Sequence, residues 1–238
     1  MKKYFITFGG GHQNFIDAGN RLTHQANQLD IFDNVILFTD KILKTEHADT
    51  FWDKHGKFIE ENKRGYGYWL WKPYIIQHVM KTLDDGDILM YLDAGCEILQ
   101  SKREKILEYM KYVESEQIIG SKTAVERSYN KKDLVMHLDM NIDEHLDNCQ
   151  REGGVLLLYV TPAVRNLIDQ WYEIACSNNY HFIDDTPSII ENDPIFVDHR
   201  HDQSIYSLLT KKYNIFGEHD INDIIEVVKN RNGWSIFG

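Results

Sequence analysis

The chain has 238 residues, with 26 Lys and Arg against 37 Asp and Glu, giving a formal net charge of −11 at pH 7. That length suits one large α/β domain with a sizeable core, and apolar and charged fractions of 42% and 26% are those of an ordinary globular protein. The acidic balance argues against nonspecific nucleic-acid binding, which needs a basic surface; an anionic ligand would need a metal or a few placed Lys and Arg residues.

The first eight residues, Met1–Phe8, hold an apolar run too short for a signal segment, and no stretch approaches 18 uninterrupted apolar residues. Neither a leader nor a transmembrane helix is expected. Cys96, Cys149 and Cys176 are widely spaced and outside any CxxC. Their odd number favours free thiols in a reducing compartment, hence a cytoplasmic location.

Tyr4–Phe8 reads as a first strand, followed by the turn Gly9-Gly10-Gly11. Asn14–Leu29 has helical character, and Val35–Thr39 is a second short strand ending at Asp40. Residues 41–63 are polar, helix plus loop. Pro73 suits the first turn of a helix that Tyr74–Leu83 continues. After the turn Asp84-Asp85-Gly86, Ile88–Leu92 is a short apolar run that reads as the central, buried strand. Lys102–Val113 is an amphipathic helix and Gln117–Gly120 a strand. Gly153–Val160 is another buried strand, and Thr161-Pro162 has the form of an N-cap and first helical residue for Ala163–Cys176. Asp202–Tyr213 closes with Lys211 and Lys212 in its last turn, a favourable helix end. This alternation predicts a single α/β domain over residues 1–238, Rossmann-like, with a mostly parallel sheet and helices on both faces. The last 25 residues or so read as a possible C-terminal extension.

The most informative stretch is Tyr91-Leu92-Asp93-Ala94-Gly95-Cys96-Glu97. In α/β proteins ligands bind beyond the carboxyl ends of parallel strands. A carboxylate there, followed by glycine, suits Mg²⁺ or Mn²⁺, which bind through one or two carboxylates plus substrate phosphates. The bland alternative is an aspartate that caps the next turn. Gly9-Gly10-Gly11-His12 is neither GxGxxG nor a Walker motif; it is a plain turn or a nucleotide contact. Arg64–Pro73 concentrates aromatics, glycines and two cations before a helix. Its rings could stack on a base or a sugar, Arg64 or Lys72 could meet a phosphate, and at least one Trp should be core. Glu126–Asp133 reads as a solvated loop and helix start. Gly153-Gly154 suggests close approach by substrate, or a bulge. In Asp198–Ser204 the acid Asp202 is either an N-cap or a general base at a helix N-terminus. Cys96 is a small buried residue rather than a nucleophile.

Taken in order, Trp69–Pro73, Tyr91–Glu97, Glu126–Asp133, Gly153-Gly154-Val155 and His199–Ser204 resemble the GT-A class of nucleotide-sugar-dependent glycosyltransferases, especially small bacterial and viral members, over roughly residues 4–213. The resemblance implies hexosyl or deoxyhexosyl transfer from a nucleoside diphosphate sugar, UDP-linked rather than GDP-linked, to a glycan or another hydroxyl acceptor, assisted by Mn²⁺ or Mg²⁺. It places Phe8, Gly9, Gly10, Arg64, Trp71, Lys72, Asp93, Ala94 and Gly95 at the donor, Gly153, Gly154 and His201 at the acceptor, and Asp202 as the catalytic base. The class motif is DXD. Here it is Asp93-Ala94-Gly95, without the second Asp, so either Glu97 substitutes for it, with His219 as a candidate third ligand beside Asp93, or Asp93 meets the ribose or sugar instead. Two competing classes remain: a metal-dependent phosphoesterase built on Asp93, His199, His201 and Asp202, and an inactive nucleotide-sugar-binding module.

Overall fold

In a computed structural model describing residues 1–237, five strands form one sheet in the order β2-β1-β3-β5-β4. The chain runs β1 (Lys3–Phe8), α1 (Gln13–Gln28), β2 (Asn34–Phe38), α2 (Asp40–Thr45), α3 (Asp53–Glu61), the single turn α4 (Gly65–Tyr68), α5 (Trp71–Met80) and β3 (Ile88–Leu92). Then follow α6 (Arg103–Glu116), β4 (Ile118–Val125), α7 (Lys132–His137), α8 (Asp143–Leu146), β5 (Cys149–Tyr159), α9 (Pro162–Cys176) and α10 (His201–Tyr213). β1 pairs in parallel with β2 and β3, while β5 pairs antiparallel with β3 and β4. Ile88–Leu92 is thus the middle strand, as expected. The reversed β5 lies between two strands that share a direction. Its first residues therefore lie at the carboxyl end of β3, so a strand start and a strand end meet at one edge.

Period-two alternation divides the core. Leu89 and Tyr91 face a cluster with α5, α9 and α10, including Trp71, Trp171 and Tyr206. Ile88, Met90 and Leu92 face α1 and α6 on the other side. Local chemistry sets the helix ends. Thr161 caps α9 by accepting from Val164 N, with Pro162 in the first turn. α10 ends on Asn214 in the left-handed region, with Lys211 and Lys212 in its last turn.

The final residues pack back onto the core. Ile221, Ile224 and Ile225 are buried in the α1–α6 face, and Glu226 bridges to Glu97. Among the described residues no helix is long and apolar enough to cross a membrane. The polar stretch Glu126–Asp133 is not solvated as its composition predicts: Glu126, Asn130, Lys131 and Asp133 are all buried. Each has found polar partners, which is what lets charged groups leave water. Glu126 accepts from Asn130, Gln150 and Ser207 and pairs with Lys211.

Candidate functional site

Asp93 directly follows β3, on the face of Leu89 and Tyr91, at the carboxyl end of the sheet. Its side chain is 43% exposed, whereas those of Lys72 and Asp202 behind it are each 4% exposed. Lys72 Nζ lies 3.3 Å from Asp93 Oδ1 and 3.0 Å from Asp202 Oδ2. Tyr91 Oη donates to the same Asp93 Oδ1 at 2.5 Å. One oxygen of Asp93 is therefore committed, and the other, Oδ2, is left toward the opening. Burial works against the Lys72 ammonium, but Asp202 and then Asp93 outweigh it and keep its pKa above the ordinary lysine value. Burial lifts Asp202 to about 6 despite the pull of Lys72.

A strained piece of backbone delivers Lys72. Gly65, Tyr66, Gly67, Tyr68 and Trp69 all have positive φ, between 53° and 81°. Together they make a left-handed turn closed by Tyr68 N to Arg64 O and Trp69 N to Gly65 O. Each non-glycine residue in this conformation costs roughly 1–2 kcal/mol. Glycine relieves the two most crowded positions, since a Cβ at Gly65 would overlap the Trp69 ring and one at Gly67 would come 2.6 Å from Ile59. The turn stacks Tyr68 on His201 and sets Trp69 tilted against it, centroids 4.9 and 5.4 Å apart, and His201 itself has φ 53°. Two strained segments therefore brace each other at the starts of α5 and α10, which carry Lys72 and Asp202. Strain that the surrounding structure over-determines tends to gather at functional sites.

The glycine pair opens this carboxylate cluster. A Cβ on Gly154 would lie 2.5 Å from Asp93 Oδ2, and one on Gly153 3.4 Å from Asp202 Oδ2. Asp93 N donates to Gly154 O at 2.7 Å, which fixes the two strands across the opening. Gly153 N donates to Gln203 Oε1, and Gln203 Nε2 to Gln150 Oε1, tying α10 to the start of β5. Two residues that the sequence reading passed over belong here. Glu152 precedes the glycines, half-buried. Arg200 stacks 3.8 Å over Tyr129 and makes one long side-chain hydrogen bond, 3.4 Å to Thr123.

The other expected site residues are placed differently. Phe8 and Trp71 stack on each other at 3.8 Å in the core, both 5% exposed, and so offer no face to a donor. Gly9 and Gly10 are required by packing: Cβ atoms there would come 2.5 Å from Phe15 O and 2.8 Å from Asp40 N. Arg64 is held by Asp185 and Asp198, and Lys72 is enclosed by carboxylates rather than free for a phosphate. Ala94 and Gly95 lie beneath the C-terminal segment. Arg21 donates to Ala94 O, Cys96 O, Asn230 O and Asn232 O, and Gly95 packs near Val228 O. His201 Nδ1 meets Ile183 O at 2.7 Å. Both ring nitrogens of His199 are used by Lys131 N and Phe182 O, and burial lowers its pKa. Cys96 is buried, with its thiol pKa raised by that burial.

The expected metal set does not assemble. Glu97 is fully buried and accepts from Gln25, Asn230, Ser235 and Ile236 N. Burial opposes its carboxylate, and these hydrogen bonds outweigh it, so its pKa is lowered. His219 is bonded to Glu116 and stacked on Tyr112. Among the described residues no group of three or more His, Cys, Asp or Glu is placed to hold a metal ion. The phosphoesterase alternative would need His199 and His201 in such a group; His199 has both ring nitrogens bonded, and His201 is bonded through Nδ1 while its buried Nε2 has no hydrogen-bond partner. Asp93 Oδ2 has no hydrogen-bond partner among the described residues and lies against Gly154, where a Cβ would come within 2.5 Å of it.

No protein-family model matches this chain, and no curated protein is similar to it in sequence. Among solved structures, the crystal structure of mouse xyloside xylosyltransferase 1 in its apo form is similar in shape. It is 13% identical, with 93% of this chain and 86% of that chain covered and a TM-score of 0.47, a likeness too distant to assign an activity.

Proposed function

We propose that this chain is a glycosyltransferase that moves a sugar from a nucleoside diphosphate sugar, UDP-linked rather than GDP-linked, to a hydroxyl acceptor. The observation that carries the proposal is Asp93 itself: an exposed carboxylate at the carboxyl end of the middle strand, braced from behind by Lys72 and Tyr91, facing a glycine pair that leaves it room. Strand ends of this kind take up ligands in α/β folds. The ordered resemblance of the motifs to GT-A enzymes supplies the reaction class. GT-A membership and a hexosyl or deoxyhexosyl donor are part of the proposal.

In this proposal Asp93 Oδ2 would hold a Mg²⁺ or Mn²⁺ ion brought by the donor diphosphate, an ion that would offset charge on the leaving group. Lys72 and Tyr91 hold Asp93 Oδ1 in place, so no reorganisation is needed when charge develops. Gly153 and Gly154 line the approach to the two carboxylates. Asp202, enclosed and paired with Lys72, acts as the counter-ion that makes a buried ammonium tolerable, in place of the catalytic-base role that the resemblance implies. The proposal is tested with a panel of UDP- and GDP-sugars, with and without Mn²⁺, reading nucleoside diphosphate release. Release from a UDP-sugar supports it, whereas a chain inert to every donor, and binding none, refutes it.

A further inference from the structure

If the chain transfers sugars, an acceptor hydroxyl must lose its proton as its oxygen attacks the sugar C1. Asp93 and the acids of the neighbouring segments can be compared for that task. Asp93 has one oxygen committed to Tyr91 and Lys72. Asp202 is 4% exposed and paired with Lys72. Glu97 and Glu126 are fully buried, with hydrogen bonds filling their oxygens. Asp220 caps the turn that follows it by accepting from Asn222 N. Glu152 differs from all of these: it is half-buried and makes no side-chain hydrogen bond or ion pair among the described residues.

Backbone geometry explains why Glu152 stands apart. On β4, Gly120 pairs with Leu156, but Lys122 pairs with Arg151. Ser121 alone therefore stands opposite the β5 stretch from Glu152 to Val155. A bulge of this kind breaks the ladder and re-aims side chains, and bulges are common beside active sites. The bulged stretch includes Gly153 and Gly154, which face Asp202 and Asp93.

We infer that Glu152 is the general base of the transfer, an inference that rests on the transferase reading of the Asp93 site. The acceptor hydroxyl oxygen forms the new bond to C1. The bond from C1 to the donor diphosphate breaks, with its electron pair leaving on the diphosphate oxygen. The hydroxyl proton passes to the Glu152 carboxylate. This single displacement inverts the configuration at C1. The electrostatics are compatible: burial and then the Asp93 charge raise the Glu152 carboxyl above the ordinary glutamate value, while Arg200 and Lys72 pull against them. A base serves best when its pKa approaches the working pH.

The test uses the full chain as wild type, Glu152→Gln and Glu152→Asp. UDP binding with Mn²⁺ is followed by calorimetry. Transfer is followed from whichever donor of the sugar-nucleotide panel the wild type uses, to two acceptors: a free monosaccharide, and p-nitrophenol, which is largely ionised just above neutral pH. Glu152→Gln is expected to bind UDP like the wild type and to transfer to the monosaccharide about 10²–10⁴-fold more slowly. Its loss with p-nitrophenol should be much smaller, because that acceptor needs no base, and Glu152→Asp should recover part of the monosaccharide rate. Equal losses with both acceptors, loss of UDP binding, or a Glu152→Gln rate within about threefold of wild type would each overturn the inference while leaving the transferase reading intact. A wild type that releases no nucleoside diphosphate from any donor overturns that reading and this inference together.

Discussion

Gly154 and Asp93 compete for one small volume: a methyl group at 154 would come 2.5 Å from Asp93 Oδ2, the oxygen that Tyr91 and Lys72 leave free. Gly154→Ala should therefore displace Asp93 and weaken UDP–Mn²⁺ binding by at least about tenfold, roughly 1.4 kcal/mol. Gly153→Ala meets its nearest atoms only at 3.3–3.4 Å, so its effect on binding should be several-fold smaller. Calorimetry on the two variants checks this, and equal affinities for both would contradict it.

The ion triad gives a second prediction. Removing the cation leaves Asp202 buried without its partner, and breaking a buried pair costs about 3–5 kcal/mol. Lys72→Met should lose stability on that scale in urea denaturation. A loss under about 1 kcal/mol, the scale of a surface ion pair, would show that the Lys72–Asp202 contact at 3.0 Å contributes little.

Asp202 should also mark the pH dependence of stability. Its carboxyl holds a proton up to about pH 6 in the folded protein, whereas in the unfolded chain it titrates in the ordinary aspartate range. The folded state binds the extra proton between those limits. The contribution of Asp202 is thus fully present below the ordinary aspartate pKa and is lost as pH rises through about 6, with a slope of at most roughly 1.4 kcal/mol per pH unit. Asp202→Asn removes this titration. The stability of wild type relative to Asp202→Asn should fall from about pH 4 to about pH 7, as measured by urea midpoints. A flat difference, or one that rises with pH, contradicts the assignment.

Much of the fold was legible because its signals are local. The apolar run Ile88–Leu92, the Thr161-Pro162 start of α9 and the lysine-rich end of α10 each record one element's own chemistry. The positions of Asp93 just after β3 and of Gly153-Gly154 before the apolar part of β5 were legible for the same reason, while their part in binding belongs to the proposal. What could not be read was pairing between distant segments. Lys72 and Asp202 are 130 positions apart in the sequence, and nothing near either announces a shared ion pair. Arg64–Pro73 was visibly unusual, but its glycines serve a left-handed turn rather than a ligand. Glu97 looked like a substitute for the missing acid because it is close to Asp93 in sequence. The chain turns after Cys96, and Glu97 points instead into the C-terminal segment. Glu126–Asp133 looked solvated because its buried partners are distant in sequence: Ser207 and Lys211 of α10 for Glu126, and the 181–190 segment for Lys131 and Asp133.

The altered role of Glu97 leads to a contrast between two neighbours. Glu97→Ala orphans Gln25, Asn230 and Ser235 and should cost about 1–3 kcal/mol of stability for each donor left buried. The C-terminal segment should loosen, with faster proteolysis beyond residue 226, while UDP affinity stays near wild type once folded. Cys96→Ser should keep its activity, since the thiol is buried and held protonated. A folded but inactive Cys96→Ser would restore a role for the thiol.

The central claim is that Asp93 holds the donor diphosphate through a divalent ion. Its most direct test is calorimetric titration of UDP into wild type and Asp93→Asn, each with and without Mn²⁺. The account predicts that wild-type binding tightens with Mn²⁺ by at least about tenfold and that Asp93→Asn, still folded by circular dichroism, loses that gain. Mn²⁺-dependent binding of equal strength in both proteins would contradict it.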